Sequence, residues 1–182
     1  MNETTPIAPA DTHRVWKLGS DIDTDALAPG AYMKLGIDAI AAHCLEAIRP
    51  DFAAGVRPGD VVVAGSGFGI GSSREQAPAA LVRLGVAAVI APSYSGLFFR
   101  NAFNVGLILL TCERADEIAE GDRIALDADA GTVTTAAGER LACAPIPGFL
   151  LAMARAGGLL NTLKLKLADR PKHEPTTPGS TP

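Results

Sequence analysis

The 182-residue sequence is poor in the residues that mark several large classes of protein. It has only three cysteines, Cys44, Cys112 and Cys143, an odd number at wide spacing. That argues against a disulfide framework and supplies no Cys-x-x-Cys pair for zinc or iron, so all three are expected to be buried thiols. Histidine is equally scarce, with His13 in the lead-in, His43 in a helix-like stretch and His173 near the end. No uninterrupted apolar run approaches a membrane span, and residues 1–10 lack the basic start and apolar stretch of a secretory signal. A cytoplasmic location without membrane contact is therefore expected. Positive charge is in deficit too: 16 Lys and Arg face 20 Asp and Glu, and the net charge of −4 gives nucleic acid no electrostatic footing.

Small and apolar residues are abundant instead. With 48% hydrophobic and 20% charged residues, the chain can fill one core and is short for two. One compact α/β domain is expected over residues 13–168. A polar, proline-containing lead-in occupies residues 1–12, and a tail at 169–182 has almost nothing to bury and is expected to be disordered.

Hydrophobic periodicity sets the element order. Residues 14–18 alternate as a first strand, followed by a loop, Gly19-Ser-Asp-Ile-Asp-Thr-Asp25, that crowds three carboxylates. Apolar residues at helical spacing predict a helix over 37–48, ending before Pro50. A turn at 57–60 launches a buried strand at 61–64. A helix over 75–84, closed by Gly85, leads to a second buried strand at 86–91. Ser93 is placed to cap a further helix reaching about Asn104, and a third buried strand follows at 106–110. This succession predicts a parallel βαβ core. Beyond Asp116 the pattern changes to short strands with turns at Ala130-Gly131 and Ala137-Gly138, an antiparallel extension, and a last helix is expected from Gly148 to Ala156.

The segment Gly65-Ser-Gly-Phe-Gly-Ile-Gly-Ser-Ser-Arg-Glu-Gln-Ala-Pro78 lies between a strand and a helix and carries the most chemistry. Backbone N–H groups left unpaired at such a turn, with Arg74 beside them, suit an anion. The glycines at 65, 67, 69 and 71 do not give the Gly-x-Gly-x-x-Gly of dinucleotide sites. Ser72 stands where a phosphate-binding P-loop needs lysine. Neither Ser72 nor Ser73 sits in Gly-x-Ser-x-Gly, and no histidine is placed for a triad. A capped helix start would account for the serines and Glu75. It would not account for four alternating glycines, nor for Arg74 in a first helical turn, where the macrodipole disfavours a cation unless an anion compensates. In the first loop, Asp21 and Asp23 read as Asx-turn residues in water. Ala26-Leu27 interrupts any EF-hand pattern there.

The strings Trp16-Lys-Leu-Gly-Ser-Asp-Ile-Asp-Thr-Asp25, Pro58-Gly-Asp-Val-Val-Val-Ala-Gly65, Phe68-Gly-Ile-Gly-Ser-Ser-Arg-Glu-Gln-Ala-Pro78, Ala88-Val-Ile-Ala-Pro-Ser93 and Phe99-Arg-Asn-Ala-Phe-Asn-Val-Gly-Leu107 occur in the order seen in a known family. Over residues 14 to about 160 the chain resembles the small subunits of 3-isopropylmalate dehydratases. More broadly, it is similar to the swivelling C-terminal domain of the aconitase superfamily. The resemblance implies a swivelling β/β/α domain, with a mixed sheet built from a βαβ core and an antiparallel β extension. It also implies a hydro-lyase active only with a separate large subunit that carries a [4Fe–4S] cluster, this chain binding no cofactor or metal of its own.

The implied reaction, in leucine biosynthesis, removes and re-adds water on a small hydroxy-dicarboxylic acid. Ser72 is implied as the base and Asp25 as the residue that orients the site, with Ser73 and Arg74 holding a substrate carboxylate. The loop Ala28-Pro-Gly-Ala-Tyr-Met-Lys-Leu35, with Tyr32 and Lys34, is implied to meet the substrate's variable group. Lys34 resembles the basic residue of relatives that accept an extra carboxylate, and an exposed lysine in a loop reads equally well. Gly30 and Ile70 replace the Arg and Cys of many relatives. A paralogue acting on homoaconitate or 2,3-dimethylmalate, a non-catalytic anion-binding module and a purely structural subunit are the alternatives.

Overall fold

The computed structural model describes residues 12–168. The expected tail with His173, and the lead-in apart from Thr12, lie outside those residues. Seven strands form one sheet in the order β4-β3-β2-β1-β5-β6-β7. The parallel half comprises β1 (His13–Lys17), β2 (Val61–Val63), β3 (Ala88–Ala91) and β4 (Ile108–Thr111). The antiparallel half comprises β5 (Arg123–Asp127), β6 (Thr132–Thr134) and β7 (Arg140–Ala142). The mixed sheet with a βαβ core and an antiparallel extension is thus the observed architecture. His13 begins β1, with its ring bonded to the carbonyl of Gly59 at 2.6 Å.

The period of two along each strand sorts the core into two clusters. Trp16, Val62, Val89, Ala91 and Leu109 face one way, under α4 (Gln76–Arg83) and α5 (Gly96–Val105), which supply Leu81, Phe98 and Phe103. Val15, Val61, Val63, Ala88, Ile90 and Leu110 face the other way and pack with Ile124, Val133 and Leu141 from the antiparallel half. The sheet can bury this second face because it curls: Ala144 N–H, just past β7, donates to the carbonyl of Thr111 on β4 at 2.8 Å. A buried carboxylate anchors the entry to β1 and β2. Asp60 accepts from Arg14 Nε at 3.1 Å, from Trp16 Nε1 at 2.9 Å and from the Arg57 amide at 2.9 Å. Arg14 and Arg49 lie over the Trp16 ring, 5.1 and 4.9 Å from its centroid.

Four local expectations are corrected. The helix expected over 37–48 stops early: α2 spans Ile37–Ala42, and a separate short helix, α3, spans Phe52–Gly55. Leu45 then turns left-handed at φ +63°, donating its N–H to Ala26 at 2.7 Å and burying its side chain completely. The contact with Ala26 and the burial offset a conformation that costs an L residue about 1–2 kcal/mol.

Ser93 does not cap α5. Ser95 holds the N-cap position without a side-chain bond, and Ser93 Oγ accepts instead from Gly67 N–H at 2.9 Å.

A further helix, α7 (Leu159–Ala168), follows α6 (Gly148–Arg155). None of its residues is buried, so its leucines gave no core-facing stripe to read.

Cys143 is only partly buried, and it meets Cys112 at the curled seam. The hydrogen bond from Cys143 draws the Cys112 thiol down to about 7 and pushes that of Cys143 up. Cys44 is buried as expected, and desolvation raises it to about 12.

Candidate active site

Because β1 and β2 are parallel neighbours, the loops leaving their C-terminal ends emerge side by side. Ligands of open α/β sheets bind at such an edge. Here the Asp-rich loop and the glycine loop run along each other like two more strands. Asp21 N–H donates to Ser66 at 2.8 Å, Gly69 N–H to Ile22 at 2.7 Å and Thr24 N–H to Ile70 at 2.8 Å. Asp23 caps the short helix α1 (Thr24–Leu27) by accepting from Ala26 N–H at 2.6 Å.

The glycines are what let the second loop lie so close. Gly69 adopts φ +77°, and a Cβ there would sit 2.1 Å from Cγ of the Phe98 ring. At Gly71, with φ +101°, a Cβ would approach Thr24 Oγ1 to 3.1 Å. The alternating glycines therefore serve packing against Phe98 and the first loop as well as exposing Ser72 to Arg74.

Four of the residues implied by the resemblance come together at this edge. Ser72, partly exposed, donates its N–H to Thr24 Oγ1 at 2.9 Å, and its own Oγ lies 2.9 Å from the same Thr24 oxygen. Ser73 is exposed, and its carbonyl accepts from Asn101 Nδ2 on α5 at 2.9 Å. Arg74 Nη1 is ion-paired with Asp25 and also donates to the carbonyl of Ala28 at 3.2 Å. Both contacts use Nη1, which turns the guanidinium's other edge into the side that can take a carboxylate through two parallel N–H bonds.

One detail differs from the sequence reading. The helix begins at Gln76, with Glu75 in the cap position and no side-chain cap bond. Ser72, Ser73 and Arg74 thus precede the helix: no serine caps it, and Arg74 answers to Asp25 rather than to a helix end.

Tyr32 and Lys34 stand apart from this group. Tyr32 stacks on His43, with ring centroids 3.7 Å apart and 6° between planes, and its hydroxyl faces Glu46. Desolvation, then the charge and hydrogen bond of Glu46, push that phenol's pKa up. His43 Nδ1 is bonded to Glu46 Oε2 at 2.6 Å. Lys34 is exposed on the same loop. Among the described residues no contact joins Tyr32 or Lys34 to Ser72, Ser73 or Arg74.

Two residues given no role in the sequence reading belong to the site. Thr24 stands in the sequence simply as the neighbour of Asp25. Asn101, 8% exposed, sits three residues after Phe98 on the core-facing side of α5. A polar residue on such a face signals a specific partner, and here the partner is Ser73. Among the described residues, no group of three or more His, Cys, Asp or Glu could hold a metal ion, and no helix is long and apolar enough to cross a membrane.

Comparison with known proteins agrees with this architecture. The family model of the aconitase C-terminal domain matches residues 53–115, the stretch from the entry of β2 to just past β4. The 3-isopropylmalate dehydratase small subunit 1 of Archaeoglobus fulgidus is 45% identical over 153 residues, 83% of this chain and 95% of that protein. The 3-isopropylmalate dehydratase small subunit of Nautilia profundicola is 46% identical over 160 residues, 87% of this chain and 96% of that protein. The crystal structure of 3-isopropylmalate dehydratase (leuD) from Methanocaldococcus jannaschii superposes with a TM-score of 0.81 at 40% identity, covering 87% of this chain and 95% of that one. At the level of class, this is an aconitase-type C-terminal domain. The chain belongs to the family of 3-isopropylmalate dehydratase small subunits.

Proposed function

We propose that the chain is the small subunit of a hydro-lyase that interconverts 2-isopropylmalate and 3-isopropylmalate in leucine biosynthesis. It works with a large subunit. The observation that carries this reading is the convergence of Ser72, Ser73, Arg74 and Asp25 on two loops laid side by side. The names and coverage of the relatives support the same substrate class. Cys44 lies in one core cluster, Cys112 and Cys143 meet at the other, and among the described residues no group of three or more His, Cys, Asp or Glu could hold a metal ion. A [4Fe–4S] cluster is assigned to the large subunit, and no step of this chain's chemistry is routed through it.

On this reading Arg74, steadied by Asp25, grips a substrate carboxylate with its open edge, and the exposed Ser73 adds a hydrogen bond. Ser72, as the alkoxide, removes the weakly acidic proton from the carbon beside that carboxylate. The C–H electron pair becomes the alkene as hydroxide leaves. Hydroxide then adds to the carbon that lost the proton while Ser72 returns its proton to the carbon that carried the hydroxyl, which completes the isomerisation and restores the base. Lys34 and Tyr32, on the loop after α1, are assigned to the end of the site that meets the substrate's side group.

The test is a reconstituted complex with its large subunit, followed by alkene absorbance over a panel of malate derivatives. Turnover of isopropylmalate with little turnover of homoaconitate or 2,3-dimethylmalate is expected. The reverse preference would overturn the substrate and leave the reaction class standing.

A further inference from the structure

Among the described residues, Thr24 makes the one side-chain hydrogen bond to Ser72 Oγ, and its geometry is informative beyond mere packing. The Thr24 side chain is buried, with 1% of the residue exposed, in a region where most neighbouring polar groups face water. Its Oγ1 lies 2.9 Å from both the amide nitrogen and the hydroxyl oxygen of Ser72. A hydroxyl has one proton and two lone pairs. The Ser72 amide can only donate, so it occupies one lone pair of Thr24. While Ser72 is neutral, the second bond can run either way. An alkoxide can only accept, so the Thr24 proton must then point to it.

We infer that Thr24 is a positioning residue for the proposed base: its hydroxyl, polarised by the Ser72 amide, donates to Ser72 Oγ and holds that oxygen as the anion. The inference rests on the assignment of Ser72 as base. The bond strengthens on deprotonation because a charge-assisted hydrogen bond is about twice as strong as a neutral one. The donor is also fixed in advance. Thr24 opens α1, its N–H is bound to Ile70 at 2.8 Å, and its carbonyl accepts from Ala28 N–H at 2.9 Å. Its β-branched side chain has few rotamers to lose, and Gly71 leaves room for its hydroxyl.

The charged groups on the surrounding elements do not compete for this role. Asp23 caps α1, and Asp25 is paired with Arg74. Glu75 and Arg100 are exposed on Ser72's own segment and on α5, and Asp38 on α2 is paired with Arg83 on α4. Among the described residues, no hydrogen bond or ion pair joins any of these groups, or His43, to the Ser72 hydroxyl.

The experiment compares Thr24→Val, Thr24→Ala and Thr24→Ser in the complex with the large subunit, measuring kcat and KM from pH 7 to 9.5. Removing the donor disfavours the alkoxide, so more base is needed to form it. Thr24→Val and Thr24→Ala are expected to lower kcat about ten- to hundred-fold at neutral pH and to move its rise about one to two pH units upward. KM should change little. Thr24→Ser should restore both the rate and the profile. In the full chain without its partner, the Ser72 amide should exchange with solvent faster in Thr24→Val and at the wild-type rate in Thr24→Ser. A wild-type pH profile in the Val and Ala variants would overturn the inference, even if their rates fell. Ser72→Ala separates the two readings: near-normal turnover there removes the base itself. An inactive Ser72→Ala beside unshifted Thr24 variants removes only the role of Thr24.

Discussion

Asn101 Nδ2 donates to the carbonyl oxygen of Ser73 at 2.9 Å, tying a buried position on α5 to the exposed strip that carries the proposed chemistry. The bond fixes the backbone between Ser72 and Arg74. Asn101→Leu keeps roughly the side-chain volume and loses the donor. It is expected to lower kcat/KM by about ten- to hundred-fold while unfolding free energy falls by only about 1–2 kcal/mol. Steady-state kinetics and urea unfolding of the same preparation check the two effects separately.

Gly69 meets Phe98 so closely that no side chain fits without displacing backbone or ring. With φ at +77° as well, Gly69→Ala is strained on two counts. An expected loss of about 2–4 kcal/mol, read by thermal or urea unfolding, comes with displacement of the following Ser72 and loss of turnover. A variant as stable and active as the wild type would show that the loop can open away from α5.

Asp60 links stability to pH. Burial pushes its carboxyl up, but bonds from Arg14, the Arg57 amide and Trp16 outweigh that and hold it below the usual carboxylate range. A carboxyl held low when folded adds stability above the unfolded value, about pH 4, and loses it as pH falls through the folded one. Asp60→Asn should cost about 2–4 kcal/mol at neutral pH and less at about pH 3, where the wild type has already lost part of the same contribution. Urea unfolding at the two pH values measures the difference, and an equal cost at both would contradict this linkage.

Lys34 is exposed on the loop assigned to the substrate's side group. Lys34→Leu should leave the melting temperature unchanged and raise the ratio of kcat/KM for isopropylmalate over homoaconitate, because an apolar environment favours the isopropyl group and a lysine favours a carboxylate. An unchanged ratio across the substrate panel would remove Lys34 from the site.

Much of this arrangement was legible in the sequence because it depends on local signals. Val61 to Val63, Ala88 to Ala91 and Ile108 to Thr111 are apolar runs bounded by turn residues, and the βαβ order follows from them. Ser72, Ser73, Arg74 and Asp25 sit in motifs short enough to read directly. What escaped depends on partners distant in the chain. Leu45 leaves the helical pattern for a bond to Ala26, and Ser93 gives up a capping role to hold Gly67. Thr24 and Asn101 acquire meaning only when Ser72 and Ser73 arrive from 48 and 28 residues away. The exposed leucines of α7 lacked the apolar contrast that marks a helix face.

The central claim is that Ser72 is the base, and Ser72→Ala in the cluster-loaded complex tests it most directly. The variant should bind the large subunit as the wild type does and melt at the same temperature, while kcat for isopropylmalate falls by about 100- to 10,000-fold. A properly assembled Ser72→Ala complex that turns over within about tenfold of the wild-type rate would contradict the account.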